Sequence, residues 1–353
     1  MTRSRGDEEI ACDESGSDGE NLPAGNTDVF AHGSVRLRTD IAAECFRELR
    51  HRIRSPAEEY KANHLLREKH RAVLEWLLAP GGPVHGHAHV HLIDKAFFVV
   101  DRTVGLLLDD GDDGDRGLDA VTLYRAGPHA FGDEGWQDFL TAAHQLLRVR
   151  TDHGPSAPVE AFFRVVDGLR RANGRTTVSA VLDRLAAARP VAEDHRARIA
   201  ATGPPLVPLL DPLLPTVVAT VRHWSAGGPG PVRLVHDRQN MLTPQRMAWV
   251  AESVRPAGAG RVEWRLVEAR LDVRVQYRPT SSPESPGRSP PTRSTAVATH
   301  GSPRCCARTS IRDPCGATHP AGSGCAGMRP TRACAWLVET PQEDPAAQDH
   351  RLS

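Results

Sequence analysis

The chain has 353 residues, 39% of them hydrophobic and 25% charged, enough to bury a large core in one big domain or two smaller ones. Lysine plus arginine and aspartate plus glutamate both number 44, so the formal net charge is zero. That removes the simplest argument for nucleic-acid binding, a strongly basic domain, although a local basic rim stays open. No apolar run is long enough to span a bilayer, and Arg3 and Arg5 precede Asp7-Glu8-Glu9 rather than a signal-peptide core. A cytoplasmic chain without a membrane partner is expected.

The first apolar run, Ile10-Ala11-Cys12, reads as the end of a buried strand, with Asp13-Glu14 where the strand leaves the core. Ser15-Gly16-Ser17-Asp18-Gly19 supplies the turn. Carboxylates held at such a place suit metal binding or acid–base work, and equally an ordinary polar strand exit. Asp28 to Leu37 reads as a second strand, a hairpin partner of the first. Thr39 or Asp40 caps a helix through Arg54, with Ile41, Cys45, Leu49 and Ile53 on one face. Ser55 to Glu59 reads as another helix start, and a further helix runs through Leu78 until Pro80-Gly81-Gly82-Pro83 stops it.

A strand from Val84 to Ile93 follows, ending in Asp94-Lys95, and Ala96 to Leu108 reads as helix. On that strand His85, His87, His89 and His91 share one face, and Ala88, Val90, Leu92 and Asp94 share the other. A His-x-His strand can ligate zinc; a partly solvated sheet face is the alternative. Asp109 to Asp115 looks like a calcium loop, but its glycines break the ligand alternation and no closing glutamate follows, so it reads as a solvated loop. From Glu134 to about Ala226 the pattern is helical, with segments Gly135–Arg150, Val159–Ala172, Val178–Ala188 and Pro212–Trp224, and reads as a helical insertion.

Pro231 to His236 is a clear strand ending at Asp237, Thr243-Pro244 starts a helix through Val254, and Arg261 to Glu268 alternates like a last strand. Strands separated by helices predict an α/β fold with a mixed sheet. From Tyr277 onward Arg, Pro, Ser, Thr and Cys dominate, the composition of a disordered tail. Cys305, Cys306, Cys315, Cys325 and Cys334 fall there, without the paired Cys-x-x-Cys spacing of a zinc site.

Three apolar strands end in a carboxylate, at Asp13, Asp94 and Asp237, and Glu59 is a fourth candidate. Ligand sites in open α/β sheets lie outside the carboxyl ends of strands, so these groups are expected to converge. Acidic oxygens that meet repel one another unless a cation neutralises them, and Mg²⁺ or Mn²⁺ accepts such ligands while keeping positions open for phosphate or water. Taken singly, Asp94 and Asp237 read as strand-end caps of the helices that follow, and the metal site is favoured only for the set together. No nucleophile-elbow motif supports a Ser- or His-based hydrolase.

Asp13-Glu14-Ser15-Gly16, Glu59-x-Lys61, Asp94-Lys95 and Asp237 ahead of a helix resemble the pattern of a bacterial domain-of-unknown-function family, number 3800, over roughly residues 8–276. The resemblance implies an RNase H-like fold and a metal-dependent nuclease-like site. Asp13, Glu14, Glu59, Asp94 and Asp237 would hold Mg²⁺ or Mn²⁺, and Lys61 or Lys95 would contact the phosphate of RNA or DNA. The alternative is a non-catalytic or degenerate member acting as a binding module.

The family's closing segment, Val-Gln-x-Ala-Asp-x-x-Ala-Gly, begins here as Val275-Gln276 and then breaks. Reading the codons of Arg278 to Glu284 from their third bases allows Ala-Asp-Leu-Leu-Ala-Gly, the missing segment. The same frame allows Trp-Gly-Asp from Cys315 to Thr318, which resembles the family's end. On this reading residues 277–353 are a frameshift product.

Overall fold

In the computed structural model five strands form one mixed sheet in the order β3-β2-β1-β4-β5. They are β1 (Glu9–Ser15), β2 (Val29–Val35), β3 (Ala88–Asp94), β4 (Val232–Asp237) and β5 (Val262–Val267). The structure describes residues 9–275, apart from 18–20, 24, 26, 55–66, 109–112, 150–153, 155, 175, 227, 229, 269–271 and 273. Glu59, Lys61, the helix start at Ser55, the first part of the acidic loop and the tail from Gln276 lie outside the described residues.

β1 is central because it is apolar on both faces: Ile10, Ala11 and Cys12 are all buried. It pairs antiparallel with β2, and β2 antiparallel with β3, as the predicted hairpin requires. On its other side β1 pairs parallel with β4, and β4 with β5. β1, β3, β4 and β5 therefore point their carboxyl ends the same way. Asp13 and Glu14 lie inside β1 rather than beyond it, so period-2 alternation sends them to opposite faces.

Helices cover both faces. α1 (Thr39–Ile53) and α2 (Arg71–Leu78) pack on the Asp13 side, where Ala42, Cys45 and Leu77 meet Val35 and Leu37. The predicted stripe of α1 turns by one residue: Ile41 is 46% exposed, and Ala42 and Phe46 are buried with Cys45, Leu49 and Ile53. Neither Thr39 nor Asp40 caps this helix; Arg38 holds the cap position without a side-chain bond.

On the other face, α8 (Leu213–Ser225) and α9 (Pro244–Val254) bury Leu214, Val217, Val221, Val250 and Val254 against Ile10, Cys12, Phe30 and Leu234. Thr243 caps α9 through its hydroxyl, which accepts the Arg246 N–H, and Pro244 fills the first turn, as the sequence predicts.

Between β3 and α8 a helical block builds its own core: α3 (Lys95–Leu107), α4 (Asp113–Leu147), α5 (Ser156–Ala172), α6 (Ser179–Ala187) and α7 (Arg189–Thr202). Phe98, Val104, Leu123, Phe139, Phe162 and Leu185 are among its buried residues. α4 contains a break at Gly132, whose φ of 70° only glycine adopts without strain. α8, predicted as part of this block, gives its apolar face to the sheet instead. Among the described residues no helix is long and apolar enough to cross a membrane.

Candidate functional site

The register brings Asp13 and Asp237 to the same end of the β1–β4 ladder. Cys12 of β1 faces His236 of β4 in the last pair of the parallel ladder, so Asp13 and Asp237, the next residue of each strand, point to the same face just past that pair. Asp13 is only 2% exposed, and its Oδ1 accepts the N–H of Glu14 at 2.9 Å. Asp237 is partly exposed, and its Oδ1 accepts the N–H of Arg238 at 2.9 Å. One row back on that face, Ala11 and Val235 pack with Val275 and Val267 into an apolar floor.

The floor is tied down by charge. Buried Arg274 donates to Asp272 Oδ1 and Oδ2 and to Glu9 Oε2, and Arg265 reaches Glu9 as well. These hydrogen bonds hold Asp272 below the usual carboxylate range, although burial alone would raise it.

Asp94 stands apart. Gly33 is the partner of both Asp13 and Val90, so Asp94 lies four residues beyond Asp13's row and two strands over, about 13 Å along and roughly 10 Å across. Its oxygens have local work: Oδ1 accepts the Phe97 N–H at 2.7 Å, capping α3, and Oδ2 accepts the Tyr124 hydroxyl at 2.8 Å. Lys95 is buried, and its ammonium donates to Thr27 Oγ1 at 3.1 Å.

Glu14 faces the opposite side of the sheet, in register with His32. Its Oε2 accepts from Gln239 Nε2 at 2.9 Å and lies 4.0 Å from His236 Nε2. His32 and His236 form a buried dyad, Nε2 to Nε2 at 3.2 Å, with the His32 Nδ1 on the Thr220 hydroxyl at 2.9 Å and the His236 Nδ1 on the Asp237 carbonyl at 3.0 Å. Burial pushes both imidazoles down, and for His32 the neighbouring histidines push further the same way. The charges of Asp13 and Asp237 partly oppose this at His236. The sequence signal for this dyad was present but unpaired: a histidine inside each of two apolar strands, 204 residues apart.

Only half of the expected histidine row is on a strand. β3 begins at Ala88, so His85 and His87 sit in the preceding turn, exposed, and His89 and His91 share the face of His32, away from Asp94. Among the described residues no three His, Cys, Asp or Glu side chains are drawn together at metal-binding spacing. The two carboxylates of Asp13 and Asp237 are nevertheless a fitting donor type for Mg²⁺, which usually takes one or two carboxylates and completes its shell with water and phosphate. No family model matches the chain, and no curated protein or solved structure does either.

Proposed function

We propose that this chain is a divalent-metal-dependent phosphodiester hydrolase of RNase H-like type acting on nucleic acid in the cytoplasm, with Asp13 and Asp237 as its central carboxylates. The observation that carries this reading is their place at the carboxyl ends of β1 and β4, each directly after the last pair of that ladder, Cys12 and His236. Chain order also reverses there: β2 and β3 build outward on one side of β1, and β4 and β5 on the other. Such a switch point is where open α/β sheets leave a crevice for a ligand. The mixed sheet agrees with the RNase H-like expectation.

When bound, Mg²⁺ or Mn²⁺ supplies Lewis acidity to the phosphoryl oxygens and a hydroxide at neutral pH. The chain's own part is to hold two carboxylates rigidly. Asp13 is fixed by its place in the central strand and by the Glu14 N–H, and Asp237 by the Arg238 N–H. One position back on the same face, Val275 and Val267 bury Ala11 and Val235 of the two strands that carry the pair. Glu59 and Lys61 belong to the same reading as a further ligand and a phosphate contact, whereas Glu14, expected as a ligand, faces the other side of the sheet and is left out of it.

The test is cleavage of RNA, DNA and RNA–DNA hybrid with Mg²⁺ or Mn²⁺, repeated with Asp13→Asn and Asp237→Asn proteins of unchanged circular dichroism. Ion-dependent cleavage that falls at least about 100-fold in either variant supports the reading. A folded wild-type chain that cleaves none of the three with either ion refutes it. The second reading, a non-catalytic binding module, is favoured by one observation: Asp94 spends both oxygens on Phe97 and Tyr124. It predicts binding of nucleic acid without cleavage.

A further inference from the structure

The sheet face opposite Asp13 and Asp237 carries a histidine stripe that the carboxylate reading does not use. Strand alternation puts His89 and His91 of β3, His32 of β2 and His236 of β4 on this face, and α8 brings Thr220 and His223 against them. At one end the rings are satisfied, His32 by Thr220 and His236, and His236 by the Asp237 carbonyl.

The other end is different. The His89 ring stacks on His223 with centroids 3.7 Å apart and meets His91 edge-on at 4.3 Å. His91 is 2% exposed, and neither of its ring nitrogens has a hydrogen-bond partner. Nδ1 of His89 has none either. A buried polar group left unpaired is destabilising, so three such nitrogens in one spot are a cost that a ligand would remove.

We propose that His89, His91 and His223 form a binding site for a borderline transition-metal cation of the Zn²⁺ class, between the edge strand β3 and the C-terminal turns of α8. Three imidazoles with an open fourth position are a common shell for this ion. The i, i+2 pair on the strand presents two rings from one face, and the helix supplies the third. Burial lowers His89 to about 4 and His91 to about 3, so both rings are neutral at pH 7 and keep a lone pair for a metal.

His223 is exposed on α8, which gives an ion a path inward. The rings lie in contact rather than at coordination spacing, so binding an ion requires His223, on the exposed side of its helix, to swing to another χ1 rotamer. Imidazole donors prefer Zn²⁺, Cu²⁺ or Ni²⁺ over Mg²⁺ or Mn²⁺. The site therefore stands independently of the proposed hydrolase chemistry.

The test is titration of the chelator-stripped full chain with Co²⁺, read by its visible absorption, followed by displacement with Zn²⁺. One Co²⁺ per chain with a nitrogen-ligand visible band is expected, together with binding weakened at least about ten-fold by His223→Ala. That substitution is on an exposed helix position, so the fold is kept. His91→Gln, checked by circular dichroism, should weaken binding as well, and Asp13→Asn should not. A folded chain without the band, an affinity unchanged by His223→Ala, or an ultraviolet thiolate charge-transfer band reporting the tail cysteines would overturn the proposal.

Discussion

Acid should enter this fold through the histidine stripe, and His91 is where its effect can be isolated. In the metal-free protein burial, reinforced by the charges of His89 and His223, lowers His91 from 6.5 to about 3. The folded state therefore binds fewer protons than the unfolded chain throughout the window between these values. Stability is lost as the pH falls through it. At pH 5 the unfolded imidazole is almost fully protonated and the folded one is not, so the loss relative to pH 7 is about 2 kcal/mol from this group alone.

The assay is urea unfolding of chelator-treated protein at pH 7 and pH 5, wild type against His91→Leu, which keeps the site filled with an apolar group. The wild type should lose more in total, because His32, His89 and His236 are lowered too. The drop in His91→Leu should be smaller by about 2 kcal/mol. An identical drop in both proteins would show that His91 is not held neutral, and the account of the stripe would fail with it.

Asp94→Ala should destabilise by about 2 kcal/mol, since it removes both the cap of α3 and the acceptor of the Tyr124 hydroxyl; Tyr124→Phe should cost about half as much in the same urea assay. Burial, and then the hydrogen bond to Asp94, raise the Tyr124 phenol to about 12, so Asp94→Ala should also bring its ultraviolet titration back toward 10. Gly16→Ala should cost about 1–3 kcal/mol by thermal or urea unfolding, because Gly16 has φ +76° and a Cβ there would lie 2.4 Å from the Val29 carbonyl oxygen.

The strands were legible because their residues announce burial directly. Ile10-Ala11-Cys12 and Leu234-Val235 are apolar on successive positions, which suits only a strand covered on both faces. α9 was equally legible, through its threonine cap and first-turn proline. Two helical stretches were not. The first half of α4 opens in an acidic, glycine-rich segment that mimics a loop, and α7 buries Ala192, His195 and Arg196, so it shows no apolar stripe. In both, packing against neighbouring helices overrides a weak local signal.

In the candidate site, strand-end chemistry singled out Asp13 and Asp237, which directly follow the last pair of the β1–β4 ladder. It could not reveal that β2 shifts Asp94 four residues out of their row, because register is a property of pairing between strands. For the same reason the contact between His32 and His236 had no signature in either strand alone.

The order of strands around β1 also fixes when the proposed site comes into being. Its β2 side pairs with residues close in sequence, a local hairpin that a growing chain forms at once. Its β4 side waits for residues that arrive more than two hundred positions later, after the whole helical block has been made. During that interval the Asp13 edge of β1 is an open ladder, the kind of surface on which chains associate wrongly. Closing it is a long-range step with a high loop-closure cost, so the neighbourhood of Asp13 and Asp237 can be completed only after the helical block has been made.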